Sequence, residues 1–196
     1  MRRNVYLFGI FAAILGTWLG FSSGSAQAGL LPVTTAVTEA IGGGYTFSYG
    51  IVLTSESVLK PGDAFTIYDF QGLVPGTATQ PAGFTFSSSN VGPTPIGTAP
   101  IDNPAIPNAT WTWTGPNTIV GQVSLGIFAL QSTVGTMGNG SFTASSQRQI
   151  DGVSDANITS TSVPVPTAGV PEPASLALLG IGLPLIGLVR FLRKTY

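Results

Sequence analysis

The chain has no cysteine and no histidine, and charged residues make up only 8% of its 196 positions. Each shortage removes chemistry. Without Cys there is no disulfide, no thiol nucleophile, no Fe–S cluster and no thiolate-ligated zinc. Without His the commonest general base and the commonest transition-metal ligand are gone, and a Ser–His–Asp triad cannot be assembled. The few charges are also unevenly placed. Arg2, Arg3, Arg190, Arg193 and Lys194 sit at the two ends, and only Lys60 and Arg148 lie between. Seven acids share that central stretch (Glu39, Glu56, Asp63, Asp69, Asp102, Asp151 and Asp155), which leaves it at −5. A domain of that sign with two cations neutralises few phosphates, which argues against a nucleic-acid partner.

What is abundant is Gly, at 26, and Pro, at 15. Both interrupt helices and favour turns. With many Thr, Ser, Val and Phe and little charge, the composition points to β-structure rather than to disorder.

The N-terminus reads as a secretory signal peptide over residues 1–28. Arg2 and Arg3 form its charged region, and Val5 to Phe21 is an uncharged apolar run. Ala26-Gln27-Ala28 then supplies the small-x-small pattern that a signal peptidase accepts, with cleavage expected after Ala28. A lipoprotein anchor would need a Cys at the new N-terminus. Leu31-Pro32-Val33-Thr34-Thr35 lacks the closing Gly of a sortase pentapeptide.

The C-terminus, residues 170–196, has three parts in tight order. Val170-Pro171-Glu172-Pro173 comes first, an apolar stretch runs from Leu176 to Val189, and Arg190, Arg193 and Lys194 close it. No residue from Pro173 to Val189 is charged. As a helix this stretch spans roughly 25 Å, a little short of a bilayer core of ~30 Å. Gly180, Gly182, Pro184 and Gly187 weaken it further, which suits a transient transmembrane helix better than a permanent one. Positive charge tends to stay cytoplasmic, so Arg190, Arg193 and Lys194 stop translocation and both chain tips are expected inside.

These C-terminal residues resemble the PEP-CTERM sorting signal of bacterial exosortase substrates. The resemblance rests on Pro171-Glu172-Pro173, the Gly-rich apolar stretch and the short basic tail. It implies that exosortase, a polytopic membrane protease, recognises the motif and removes the segment. It further implies an inner-membrane intermediate, delivery to the cell surface or beyond, and association with exopolysaccharide or biofilm. Pro184 within the apolar stretch departs from the pattern.

Between the ends, strand and turn signals alternate. Tyr45, Phe47 and Tyr49 alternate with Thr46 and Ser48. Lys60-Pro61-Gly62-Asp63 and Val74-Pro75-Gly76-Thr77 read as turns, with Pro setting φ and Gly supplying φ > 0. Phe65–Phe70, Gly83–Ser88, the stretch around Trp111 and Trp113, and Ile119–Leu130 read as strands, and Gly138-Asn139-Gly140 as a further turn. Val91–Pro107 carries five prolines and reads as a long surface loop. The expectation is all-β: a single antiparallel β-sandwich over 29–158, jelly-roll-like or immunoglobulin-like. A Ser/Thr/Pro linker over 159–169 would hold it off the membrane.

Few residues suggest a ligand. Trp111 and Trp113 share one strand face and form a candidate sugar-stacking platform; core packing is the competing reading. Asp151, Asp155 and Asn157 offer oxygens for calcium at a spacing that fits no tight loop pattern. Glycoside hydrolysis needs two carboxylates, and Glu39, Glu56, Asp63, Asp69 and Asp102 stand in no recognisable motif. The expectation is a non-enzymatic surface or matrix protein without metal or cofactor. A carbohydrate-binding module for exopolysaccharide is the alternative.

Overall fold

The computed structural model describes residues 29–166. The expected signal helix with Ala26 and Ala28 lies outside the described residues. So do Val170–Pro173 and the apolar C-terminal stretch with its Arg190, Arg193 and Lys194 tail.

The described chain forms ten strands and, among the described residues, no helix. They are β1 (Leu30–Glu39), β2 (Tyr45–Leu53), β3 (Ser57–Leu59), β4 (Ala64–Ile67), β5 (Phe84–Ser89), β6 (Asn108–Trp113), β7 (Ile119–Val120), β8 (Val123–Ser132), β9 (Met137–Arg148) and β10 (Ser154–Pro164). Every pairing is antiparallel. One sheet has the order β1-β2-β8. The other runs β5-β6-β4-β9-β3-β7, with β10 also paired to β9. The outer edge of β8 is partly covered by the chain at Leu73 and Thr79, which bridge to Ser132 and Ala129. Thr79 and Ala129 exchange both backbone hydrogen bonds at 2.9 Å.

Period-two alternation explains the packing. Phe47, Tyr49, Ile51 and Leu53 of β2 all point inward and are fully buried. They enter one hydrophobic cluster with Phe65, Trp111, Phe142 and Val163 of the other sheet. Phe65 sits among four rings: Trp111 stacked at 5.2 Å, Phe142 stacked at 5.6 Å, Phe128 edge-on at 4.9 Å and Phe84 edge-on at 6.4 Å. Phe128 belongs to β8, so these contacts join the two sheets. Burying one such side chain contributes about 1.5–3 kcal/mol, and well-placed ring pairs add to that.

The turn at Lys60-Pro61-Gly62-Asp63 forms as expected. Asp63 N–H donates to the Lys60 carbonyl at 3.0 Å, and Gly62 takes φ +99°, which a side chain would resist. The Pro-rich stretch from Val91 to Pro107 contains no strand.

Two expectations give way. Residues 159–164 are not a linker. They are the second half of β10, paired residue by residue to β9 from Ser154↔Gln147 to Pro164↔Met137. Thr161 and Val163 alternate with Ser160 and Ser162, and the first pair is buried. The folded unit therefore runs past 158, and Val165 N–H still donates to the Thr136 carbonyl at 2.8 Å. Three polar links hold β10 to the other sheet: Asn157 Nδ2 to the Leu30 carbonyl at 3.0 Å, Thr161 Oγ1 with Thr35 Oγ1 at 3.4 Å, and Tyr49 OH to the Ser162 carbonyl at 2.9 Å. Gly138-Asn139-Gly140 is likewise no turn but part of β9. Its glycines leave room for side chains of β10 and the residue just past it: a Cβ on Gly140 would lie 2.7 Å from Val163 Cγ1, and one on Gly138 would lie 2.6 Å from Val165 Cγ1.

Candidate functional site

Trp111 and Trp113 face inward on β6. Trp111 has no exposed surface and Trp113 only 8%. Trp111 lies between Phe65 and Phe86, both with ring centroids 5.2 Å away, and Trp113 packs on Phe84 at 4.9 Å. Gly83 and Gly115 leave the space that Trp113 fills, since a Cβ on either would come within 2.3 Å of its ring. The sugar-stacking expectation for this pair is overturned: neither Trp111 nor Trp113 presents an open ring face to a ligand. Trp113 Nε1 donates to the Asn117 carbonyl at 2.9 Å, whereas Trp111 Nε1 is buried without a partner.

The calcium candidate is also dispersed. Asp151 sits in the β9–β10 turn. There it pairs with Arg148 at 2.6 Å and accepts the Val153 N–H at 3.1 Å. Asp155 accepts the Ala156 N–H at 2.9 Å, and Asn157 is buried. Among the described residues no three acidic groups gather as a metal site.

Of the carboxylates, Asp63 closes its own turn. Its oxygens accept from Lys60 N–H at 2.7 Å and from Gln147 Nε2 at 3.3 Å. Burial pushes its carboxyl above the ordinary range, against the pull of those donors and of the Lys60 charge. Asp69 and Asp102 are brought together, which the sequence did not reveal. Asp69, in the left-handed region at φ +57°, receives the Asn108 side-chain oxygen on its own N–H at 2.8 Å. Its carboxylate accepts the Asn103 N–H at 2.8 Å. Asp102 accepts from Asn108 Nδ2 at 2.9 Å and from Gly92 N–H at 3.3 Å. Burial first, and the Asp102 charge second, raise the Asp69 carboxyl, while the Asn103 N–H opposes them. The cluster pins the Pro-rich loop, with Tyr68 OH donating to the Pro93 carbonyl at 2.7 Å. Its signal was the Asp-Asn pair at 102 and 103 facing Asn108 across a run of prolines, a pattern suited to side-chain-to-backbone bonds.

Three clefts among the described residues are lined without a carboxylate. One lies between Val52–Ser55 and Gln122–Ser124, one beside Tyr45 and residues 133–136, and one between the start of β1 and Ser160–Ser162. No helix of the described residues is long and apolar enough to cross a membrane.

Comparison with known proteins locates the functional signal elsewhere. Residues 169–194 match the family model of the PEP-CTERM protein-sorting motif. The motif is consistent with an exosortase substrate exported through the membrane to the cell surface. No curated protein matches the chain.

Proposed function

We propose that this chain is a non-enzymatic structural or interaction protein of the bacterial surface or extracellular matrix, which exosortase releases from a membrane intermediate. The observation that carries the proposal is the sorting motif over residues 169–194. In this reading residues 1–28 are a signal peptide removed after Ala28. Leu176–Val189 is a transient transmembrane helix, and Val170-Pro171-Glu172-Pro173 is what exosortase recognises. The two sheets around one aromatic core act as a β-sandwich, the cargo carried outside to a matrix of exopolysaccharide.

The sequence supports a non-catalytic role, since it has no His and no Cys. So do the three clefts described above, whose linings carry no carboxylate. With Trp111 and Trp113 in the core, a carbohydrate-binding role has lost the platform that suggested it. Contact with the matrix is then expected through the acidic, hydroxyl-rich surface rather than through an aromatic cleft.

The test is intact mass of the protein recovered from cells with and without exosortase. Changing Glu172→Ala is expected to trap an uncut, membrane-bound form that still carries Tyr196. A wild-type product that retains Tyr196 equally in both strains would make the segment a permanent anchor and remove the sorting reading.

A further inference from the structure

Gly29 is the first described residue, and it is buried. Its nitrogen donates to Thr54 Oγ1 at 2.9 Å, and its carbonyl accepts the Thr54 N–H at 3.1 Å. Thr54 Oγ1 is in turn 2.9 Å from Ser57 Oγ, a fully buried hydroxyl. On the other side of Gly29 stands Asn157 of β10, only 1% exposed. A Cβ added to Gly29 would meet Asn157 Oδ1 at 2.3 Å, so that oxygen lies directly against the glycine.

That oxygen is an anomaly. Asn157 Oδ1 is buried and has no hydrogen-bond partner. Flipping the amide does not help. Nδ2 donates to the Leu30 carbonyl at 3.0 Å, and exchanging the two atoms would set oxygen against oxygen. A buried acceptor left empty keeps the full cost of its lost hydration, and such groups are rare in folded proteins. A peptide N–H at Gly29 has one hydrogen, and Thr54 takes it. A free α-amino group there would have two or three, on a nitrogen able to rotate about its bond to Cα.

We infer that Thr54 Oγ1 and Asn157 Oδ1 form a socket for the α-amino group of Gly29, a primary amine that exists only after cleavage at Ala28. The inference rests on the signal-peptide reading above and adds a purpose to the position of the cut. Processing supplies the donor that Asn157 lacks. Glycine is required because any side chain would occupy the space of that oxygen. Strand alternation places Asp155 on the same face of β10, two residues from Asn157, a suitable sign of charge beside an ammonium. Removal of the leader thereby fastens β1 to β10 across the two sheets.

The full chain, made in an exporting host without exosortase, is purified in one detergent in two forms. One is the processed protein. The other is an Ala28→Tyr chain that signal peptidase cannot cut. N-terminal sequencing comes first. The wild-type α-amine is then acylated beside the dipeptide Gly-Leu, and roughly tenfold protection is expected. Asn157→Leu removes the bond to Leu30 in both forms but the amine contact only in the processed one. Its melting temperature should therefore fall by about 3–5 °C more in the processed form. A mature N-terminus at another residue would overturn the processing reading and the socket together. A Gly29 terminus that labels as fast as the dipeptide, or equal losses in the two forms, would overturn the socket alone.

Discussion

Asp63 and Asp69 share an unusual property for carboxylates with hydrogen-bond donors: burial outweighs the donors, and both titrate above the ordinary value of 3.8. The folded state therefore holds these protons more tightly than the unfolded chain does. As pH rises from the unfolded value through the raised folded one, that contribution to stability is lost. As pH falls through the same window it returns. The melting temperature of the domain is expected to climb as pH falls towards 3.8 from above, the reverse of ordinary acid destabilisation. Asp63→Asn should flatten the climb, because an amide keeps an oxygen for Lys60 N–H and never ionises. Thermal melts across that range check it, and an unchanged slope in the variant would assign the effect elsewhere. None of this was legible in the sequence, where the seven acids of the central stretch look alike. Trp111 and Trp113 were ambiguous for a related reason. Alternation puts them on one face, but β6 buries Thr110 as well, and periodicity does not say which face meets the core.

The strands that sequence reasoning identified most clearly are those with large apolar residues at every second position, β2, β4 and β6, together with the Pro61-Gly62 turn. There, local preference and tertiary packing agree. Their partners were not legible. Phe65 pairs with Ala144, and nothing near either residue encodes the other. β10 was hidden by its composition. Ser, Thr and Pro suggested a tether, although Thr159, Thr161 and Val163 already carried the two-residue period. The glycines of β9 misled because Gly signals two different needs, an unusual φ or an absent side chain, and at Gly140 it is the second. Gly140→Val should drive its side chain into Val163 and the Tyr68 carbonyl, 3.1 Å from the missing Cβ. A loss of about 1–3 kcal/mol is expected, read from the urea midpoint of the mature domain. No shift at all would mean that β10 stands further off than the structure places it.

On the scale of the molecule, address and cargo were unequally readable. The sorting motif is a linear signal and was legible outright, matching at residues 169–194. The role of the cargo depends on its surface, and a surface is assembled by folding. The pairing of β10 has a mechanical consequence for release. Backbone pairing persists to Val165, and the motif begins at Val170. However those few residues are arranged, their contour length is at most about 20 Å. On the reading proposed above, a cut at the motif would be made with a folded body standing at the mouth of the protease, like a knot close to the end of a cord. The domain itself sets the clearance. Inserting about ten Gly and Ser residues after Thr167 should speed release in a pulse–chase, and an unchanged rate would mean that the enzyme already has room for the knot.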